Sequence, residues 1–393
     1  WCFPKKDPAP VCTGGNRTLH AMLFGLGMVE LISYWKIACP PVVLVSAGAL
    51  NEEQVRWWKD LYYLGLGEFF YTNRIRTDAE SFMTLSSDAS DPEGEARPSQ
   101  APDGCLIPIG GGKDSACTIE LLKKSRHPLK TCIINPRGAT LKTVEAAGLS
   151  MDDSIHLSRT LDPRMLSLNR EGYLNGHTPF SALVAFSTLI TAYLHGLRYV
   201  ALSNESSANE STVSGSMVNH QYSKSFKFES DFHQYEKTFI GSGIHYFSML
   251  RPLSEFQIAG YFSGKPAYHE VFRSCNAGSR QDLWCGHCPK CLFVFLILSP
   301  FLSHSRLVEI FGADLTDDPG MQADFEKLTG IQEEKPFECV GSRDEVNAAV
   351  CLAIERMEAE GEPLPALFSW YQNQPHYASC FPGRHAYERY YDP

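Results

Sequence analysis

The chain has 393 residues, 44% of them apolar, and carries 35 Lys and Arg against 45 Asp and Glu, a formal net charge of −10 at pH 7. That is enough chain for two domains and a large core, and the acidic excess argues against a nucleic-acid surface, which needs clustered Lys and Arg, so no nucleic-acid partner is expected. The start shows no basic stretch leading into a long apolar run, and the apolar segments are too short or interrupted to span a bilayer, which points to a cytoplasmic protein with no membrane partner.

In chain order, residues 1–85 are expected to form a small N-terminal α+β domain. Its helical pattern runs through Leu19, Met22, Leu23, Leu26 and Val29, followed by a strand at 42–45 and a helix at 52–64. Residue 1 is Trp1, so a preceding segment is expected. Residues 86–104, rich in Ser, Pro and acidic side chains, read as a flexible linker. From Cys105 the pattern alternates: strand 105–109, helix 114–124, strand 131–134, a weaker strand 155–157, helix 179–195 and strand 199–202. Strands separated by helices imply an α/β fold, a mostly parallel sheet with helices on both faces, making 105–340 the catalytic domain. Residues 341–393 add one helix, 346–357, and an aromatic tail expected to be poorly ordered.

Four stretches carry chemistry. Leu106-Ile107-Pro108-Ile109-Gly110-Gly111-Gly112-Lys113-Asp114-Ser115 places an apolar strand directly before a glycine loop and a helix start. Three glycines leave backbone N–H groups uncovered, and a helix N-terminus favours negative charge, so the loop suits phosphate; a plain glycine turn is the alternative. It is not a Walker A loop, because Ile107 stands where a glycine is needed and Asp114 follows the lysine. The polar run from Ser203 through Asn204 and Glu205 to Glu210 begins at a strand's carboxyl end, where ligands of parallel sheets bind. His220 and Lys224 follow, four residues apart, and on a helix over 220–232 they share one face with Phe228 and Phe232. Arg251 and Glu255, after a strand at 246–250, suit a carboxylate or phosphate contact, or equally an internal ion pair. Finally Cys275, Cys285, Cys288 and Cys291 have the spacing of a tetrahedral structural Zn²⁺ site, ahead of an iron–sulfur cluster, with uncoordinated buried thiols as the bland reading.

The glycine loop resembles the PP-loop of the ATP pyrophosphatase superfamily, SGGxDS, with Gly110 where that pattern has serine. That resemblance implies an adenine nucleotide alpha hydrolase-like core. The ordered set GGGKDS, LNGHTP, SNESSANEST, VNHQYSKS, SMLRPLSE, FRSCN, WCGHCPKCLFVF and KPFECVG resembles, over about 28–343, the MurL family of UDP-N-acetylmuramoyl-L-alanyl-L-glutamate epimerases. The resemblance implies an isomerase of peptidoglycan biosynthesis, acting downstream of an L-Glu-adding ligase. It would use ATP and Mg²⁺ to invert the terminal L-Glu of UDP-MurNAc-L-Ala-L-Glu through an acyl-adenylate, releasing AMP and diphosphate. On this scheme Gly110, Gly111, Gly112, Lys113, Asp114 and Ser115 hold ATP, and Asp114 also assists Mg²⁺. Lys224 and His220 rank first as acid and base, then Glu205, then Cys275, while Asn204, Arg251 and Glu255 contact substrate. The runner-up, similar to 7-cyano-7-deazaguanine synthase, shares the loop and cysteine pattern but lacks the N-terminal segment and the SNESSANEST and HQYSKS stretches. A non-catalytic nucleotide-binding protein is the third reading.

Overall fold

The computed structural model describes residues 1–4, 15–90, 94–209, 221–275, 277–278 and 281–388. The chain opens with α1 (Arg17–Trp35), β1 (Val42–Val45), α2 (Glu52–Gly65), α3 (Gly67–Thr72) and β2 (Thr84–Ser87). The central unit follows as β3 (Cys105–Pro108), α4 (Lys113–Leu122), β4 (Leu129–Ile134), α5 (Gly138–Ala146), β5 (Ser154–Leu157), α6 (Pro163–Arg170), α7 (Phe180–Leu194), β6 (Tyr199–Leu202), α8 (Phe226–Tyr235), β7 (His245–Ser248) and α9 (Glu255–Ser263). The remainder is helical: α10 (Pro289–Leu298), α11 (His304–Phe311), α12 (Gln322–Thr329), α13 (Arg343–Glu360), α14 (Ala366–Gln372) and α15 (Pro375–Cys380).

Five strands pair in the order β5-β4-β3-β6-β7, every pair parallel, so the chain forms an α/β fold as its alternating pattern predicts. Parallel strands bury both faces, and the side chains divide accordingly. Cys105 and Ile107 of β3, Ile133 of β4 and Ala201 of β6 enter one core, built with α4, α9, α10 and α13. Leu106, Cys132, Val200 and Leu202 point the other way, into a core shared with α1, α2, α7 and α8. The N-terminal helices therefore bury their apolar side chains in the same core as the sheet, where α1 packs on α7 and Trp58 stacks on Phe186 at 5.5 Å. β1 and β2 form a separate parallel pair. Residues 94–104 run as coil, tied down where Arg97 N–H donates to Thr18 Oγ1 (3.0 Å) and Ser99 N–H to Ser242 O (2.7 Å).

Two expectations fail. The tail beyond 360 is not loose through 388: α14 buries Leu367, Phe368 and Tyr371, and the Tyr371 hydroxyl donates to Asn347 Oδ1 at 2.7 Å. Short helices with three apolar anchors among Pro, Tyr and His give no periodic signal. The helix expected over 220–232 is broken within its described residues, 221–232. Tyr222–Lys224 form a 3-10 turn, and Ser225 breaks it in extended conformation to cap α8, accepting from Phe228 N–H at 3.2 Å. No described helix is long and apolar enough to cross a membrane; α10, almost wholly apolar, has ten residues and is buried on every side.

Candidate active site

β3 is central. The chain builds outward from it to β4 and β5, then returns to lay β6 and β7 on its other edge. The two loops that leave β3 and β6 diverge at their carboxyl ends, and a crevice opens between them. A cavity of about 320 Å³ lies there, lined by Gly110, Gly112, Asp114 and Ser115 after β3 and by Ser203 and Asn204 after β6. Lys224, Cys275, Lys290 and Cys339 close it from later in the chain.

The glycine loop is built for close approach. Gly111 has φ +83°, and a Cβ there would stand 3.2 Å from the backbone of Ala139 and Thr140. Gly112 is the N-cap of α4 in extended conformation and offers no side chain to the first-turn N–H groups, which leaves them for a ligand. The neighbouring terminus differs: both oxygens of Asp282 accept from α5, from Gly138 N–H and Ala139 N–H, each at 2.8 Å. One helix end already holds its anion and the other faces the cavity.

Beneath the loop, Lys113 is buried and its ammonium bridges Asp114 Oδ1 (2.5 Å) and Glu255. Burial works against that charge, and Asp114 and Glu255 overcome it, holding the ammonium above its ordinary range. Oxygens of Asp114, Glu205 and Glu255 lie within 4.8 Å of one another. Burial pushes Glu255 up to about 7, with Lys113 opposing and the other two carboxylates adding to the rise. Asp114 moves down: burial opposes this, but Lys113, Lys290 and Lys224 all face it. The two partners of Lys113 diverge because one ammonium compensates one charge; Lys290 acts on both carboxylates, and Asp114 has Lys224 as well. Such a set of oxygens suits Mg²⁺, which takes one or two carboxylates and fills its shell with water and phosphate. Asp114 is the member of the three that lines the cavity.

Arg251 does not line the cavity. Its guanidinium donates to the carbonyls of Glu205 (2.7 Å) and Lys224 (2.6 Å) and to Glu229 Oε2 (2.9 Å). Glu229 in turn accepts from Ser248 Oγ at 2.5 Å, and Ser248 Oγ accepts from Asn204 Nδ2 at 3.1 Å. This buried network fixes the loop after β6 and the turn that carries Lys224. Lys224 itself is half-buried; desolvation would lower it, but Cys339, Glu205 and Asp114 hold it above the ordinary lysine range. His220 lies outside the described residues. Of the residues singled out from sequence, Gly110, Gly112, Asp114, Ser115, Asn204, Lys224 and Cys275 line the cavity, while Gly111, Lys113, Glu205, Arg251 and Glu255 stand behind them.

The four cysteines converge. Cys275 and Cys288 sulfurs are 3.8 Å apart, Cys285 and Cys291 3.7 Å, and Cys288 and Cys291 3.5 Å, far beyond a disulfide bond. Thiolates about 2.3 Å from a tetrahedral zinc would be about 3.8 Å apart, so the geometry fits that ion. The contact with Cys291 draws the Cys288 thiol down to about 5. Lys290, inside the same cysteine motif, and Cys339 carry no role in the sequence reading. Their alignment on one cavity depends on segments some 180 and 230 residues beyond the loop folding back onto it.

Residues 3–249 match the family model of the MurL N-terminal domain, and residues 271–377 that of the MurL C-terminal domain. The chain belongs to the MurL family. It is 35% identical over 361 residues to the UDP-N-acetyl-alpha-D-muramoyl-L-alanyl-L-glutamate epimerase of Xanthomonas oryzae pv. oryzae, covering 89% of this chain and 78% of that protein. It is 34% identical over 351 residues to the same-named protein of Salinispora tropica, covering 86% and 74%. The MurL domains meet at the cavity: the first supplies the glycine loop, Asn204 and Lys224, the second Cys275, Lys290 and Cys339. Neither domain alone completes it.

Proposed function

We propose that this MurL protein inverts the terminal L-Glu of UDP-MurNAc-L-Ala-L-Glu to D-Glu in the cytoplasm, at the cost of ATP, acting after the ligase that adds L-Glu. The observation that carries the ATP step is the uncapped N-terminus of α4, which opens from a glycine loop into a cavity bordered by Lys224 and Lys290. The chemistry explains why ATP is needed. A glutamate Cα proton beside a free carboxylate is very weakly acidic, because its removal puts two negative charges on neighbouring atoms. Once that carboxylate is an acyl-adenylate, the charge left at Cα spreads onto the carbonyl oxygen, and a base can take the proton.

In this reading the amides of 110–115 hold the triphosphate, and Lys224 and Lys290 neutralise charge as pyrophosphate leaves. Asp114 is the carboxylate placed to hold Mg²⁺, which would supply charge neutralisation when bound. Lys113 acts from below, fixing Asp114 and Glu255 instead of touching phosphate. Asn204, held by Ser248, presents its amide to the substrate. The test is incubation with ATP, Mg²⁺ and UDP-MurNAc-L-Ala-L-Glu, followed by resolution of the glutamate enantiomers. Formation of D-Glu with AMP and pyrophosphate is expected; turnover of carboxy-deazaguanine with ammonia instead would replace this reading by the nitrile-forming one.

The cysteine cluster is proposed to hold one structural zinc that ties the loop before α10 to the floor of the cavity. Metal analysis of protein purified without chelator is expected to give about one zinc per chain. Cys288→Ser should lose most of that metal and unfold at lower denaturant concentration. Full stability in a metal-free C288S protein would remove the zinc from the account.

A further inference from the structure

Cys339 stands apart from the other thiols of this chain. Cys105, Cys117 and Cys132 are buried in the sheet's core, where burial pushes their thiols well up. Cys275, Cys285, Cys288 and Cys291 are occupied with one another. Among the described cysteines outside that cluster, Cys339 is the one that lines the cavity. Its position is fixed from several sides. The Lys290 ammonium donates to its carbonyl, Gln221 Nε2 donates to the carbonyl of Val340 at 3.4 Å, and Gly341 packs so tightly that a Cβ would lie 3.1 Å from Glu255. The half-buried Lys224 side chain hydrogen-bonds the Cys339 sulfur. A lysine ammonium against a sulfur favours the thiolate, the form that accepts protons.

We propose that Cys339 is the base that takes the glutamate Cα proton and that Lys224 is the positioning residue that sustains its thiolate, an assignment that rests on the epimerase reading above. The Cys339 thiolate takes the Cα proton: an S–H bond forms, the Cα–H bond breaks, and its electron pair moves onto the acyl oxygen of the activated carboxyl. A water molecule on the opposite face of Cα returns a proton, breaking an O–H bond and drawing the pair back. After product leaves, the S–H proton passes to solvent, neutralising the hydroxide left there and restoring the thiolate beside the ammonium. No oxidant or further reagent is consumed. The turn that carries Cys339 comes from the MurL C-terminal domain and Lys224 from the N-terminal one, so the pair forms only where the two domains meet.

The test is Cys339→Ser, which keeps the side-chain size and loses the acidic proton acceptor. Epimerisation, and with it deuterium wash-in at Cα in heavy water, should fall about 100-fold or more, while substrate-dependent pyrophosphate release stays within about threefold of wild type. A second measurement does not use turnover: iodoacetamide labelling of Cys339, followed by peptide mass spectrometry, should slow about tenfold in Lys224→Met if the ammonium sustains the thiolate. Epimerisation by C339S within about threefold of wild type would overturn the assignment. So would equal loss of pyrophosphate release, which would make Cys339 a binding or structural residue, or unchanged labelling in K224M. A wild-type protein that inverts no glutamate brings down the epimerase reading itself, and that result appears before any variant is made.

Discussion

Asp114→Asn is expected to lower substrate-dependent AMP formation about 100- to 1,000-fold while the protein stays folded, because it removes the carboxylate that would hold the magnesium ion neutralising the reacting phosphate, and preorganised charge of that kind is worth that much. The carboxylate has two tasks. It presents an oxygen to the cavity, where a magnesium ion and phosphate oxygens would meet it, and it accepts from Lys113 at 2.5 Å. The amide keeps the shape and gives up the charge, so the first task is lost outright. The second is partly covered, since Lys113 retains Glu255. Loss of one charge-assisted hydrogen bond should cost about 1.5–3 kcal/mol of unfolding free energy, measurable in guanidinium. Rates should be followed as AMP and pyrophosphate at saturating ATP, with excess Mg²⁺ to separate weaker metal binding from lost catalysis. An unchanged rate would move the phosphate site away from α4.

How far the sequence discloses this site depends on the range over which each feature is encoded. The glycine loop is local: strand, turn and helix start lie within ten residues, and β3 and α4 fall where the pattern puts them. The α/β alternation also follows from spacing, because each strand and helix has its own period and the parallel sheet is what such alternation packs into. Long-range placement is different. Apolar periodicity in α1 marks a buried face but not its partner, so nothing local predicts that this face packs on α7. Lys224 and Phe228 share a helical spacing, yet Ser225 caps a new helix between them and turns Lys224 toward the cavity. A capping serine was the available signal. Cys339 is further out of reach: a single cysteine in a coil stretch has no period, and its meaning comes from Lys224 lying against it. Lys113 shows the same limit, since a lysine beside a glycine loop reads as a phosphate ligand until its buried carboxylate partners are known.

Arg251→Met should be the most destabilising single change near the site, by about 3–5 kcal/mol, because it breaks a buried pair and leaves Glu229 as an uncompensated charge. Both side chains are largely shielded, 15% exposed for Arg251 and 10% for Glu229. The carbonyls of Glu205 and Lys224 lose their donor in the same step, so the two segments that carry Asn204 and Lys224 are no longer tied together. Activity should therefore fall with stability, and through kcat more than KM, since what is lost is the placement of groups and not a contact to substrate. A double-mutant cycle separates the causes. Adding Glu229→Gln to R251M removes the stranded charge, so the double variant should be less destabilised than the sum of the singles by about 1–3 kcal/mol. Its activity should not recover in step, because the carbonyl tethers are still missing. Were Arg251 a direct substrate ligand, R251M would instead raise KM with little change in unfolding free energy, and the cycle would show no coupling to Glu229.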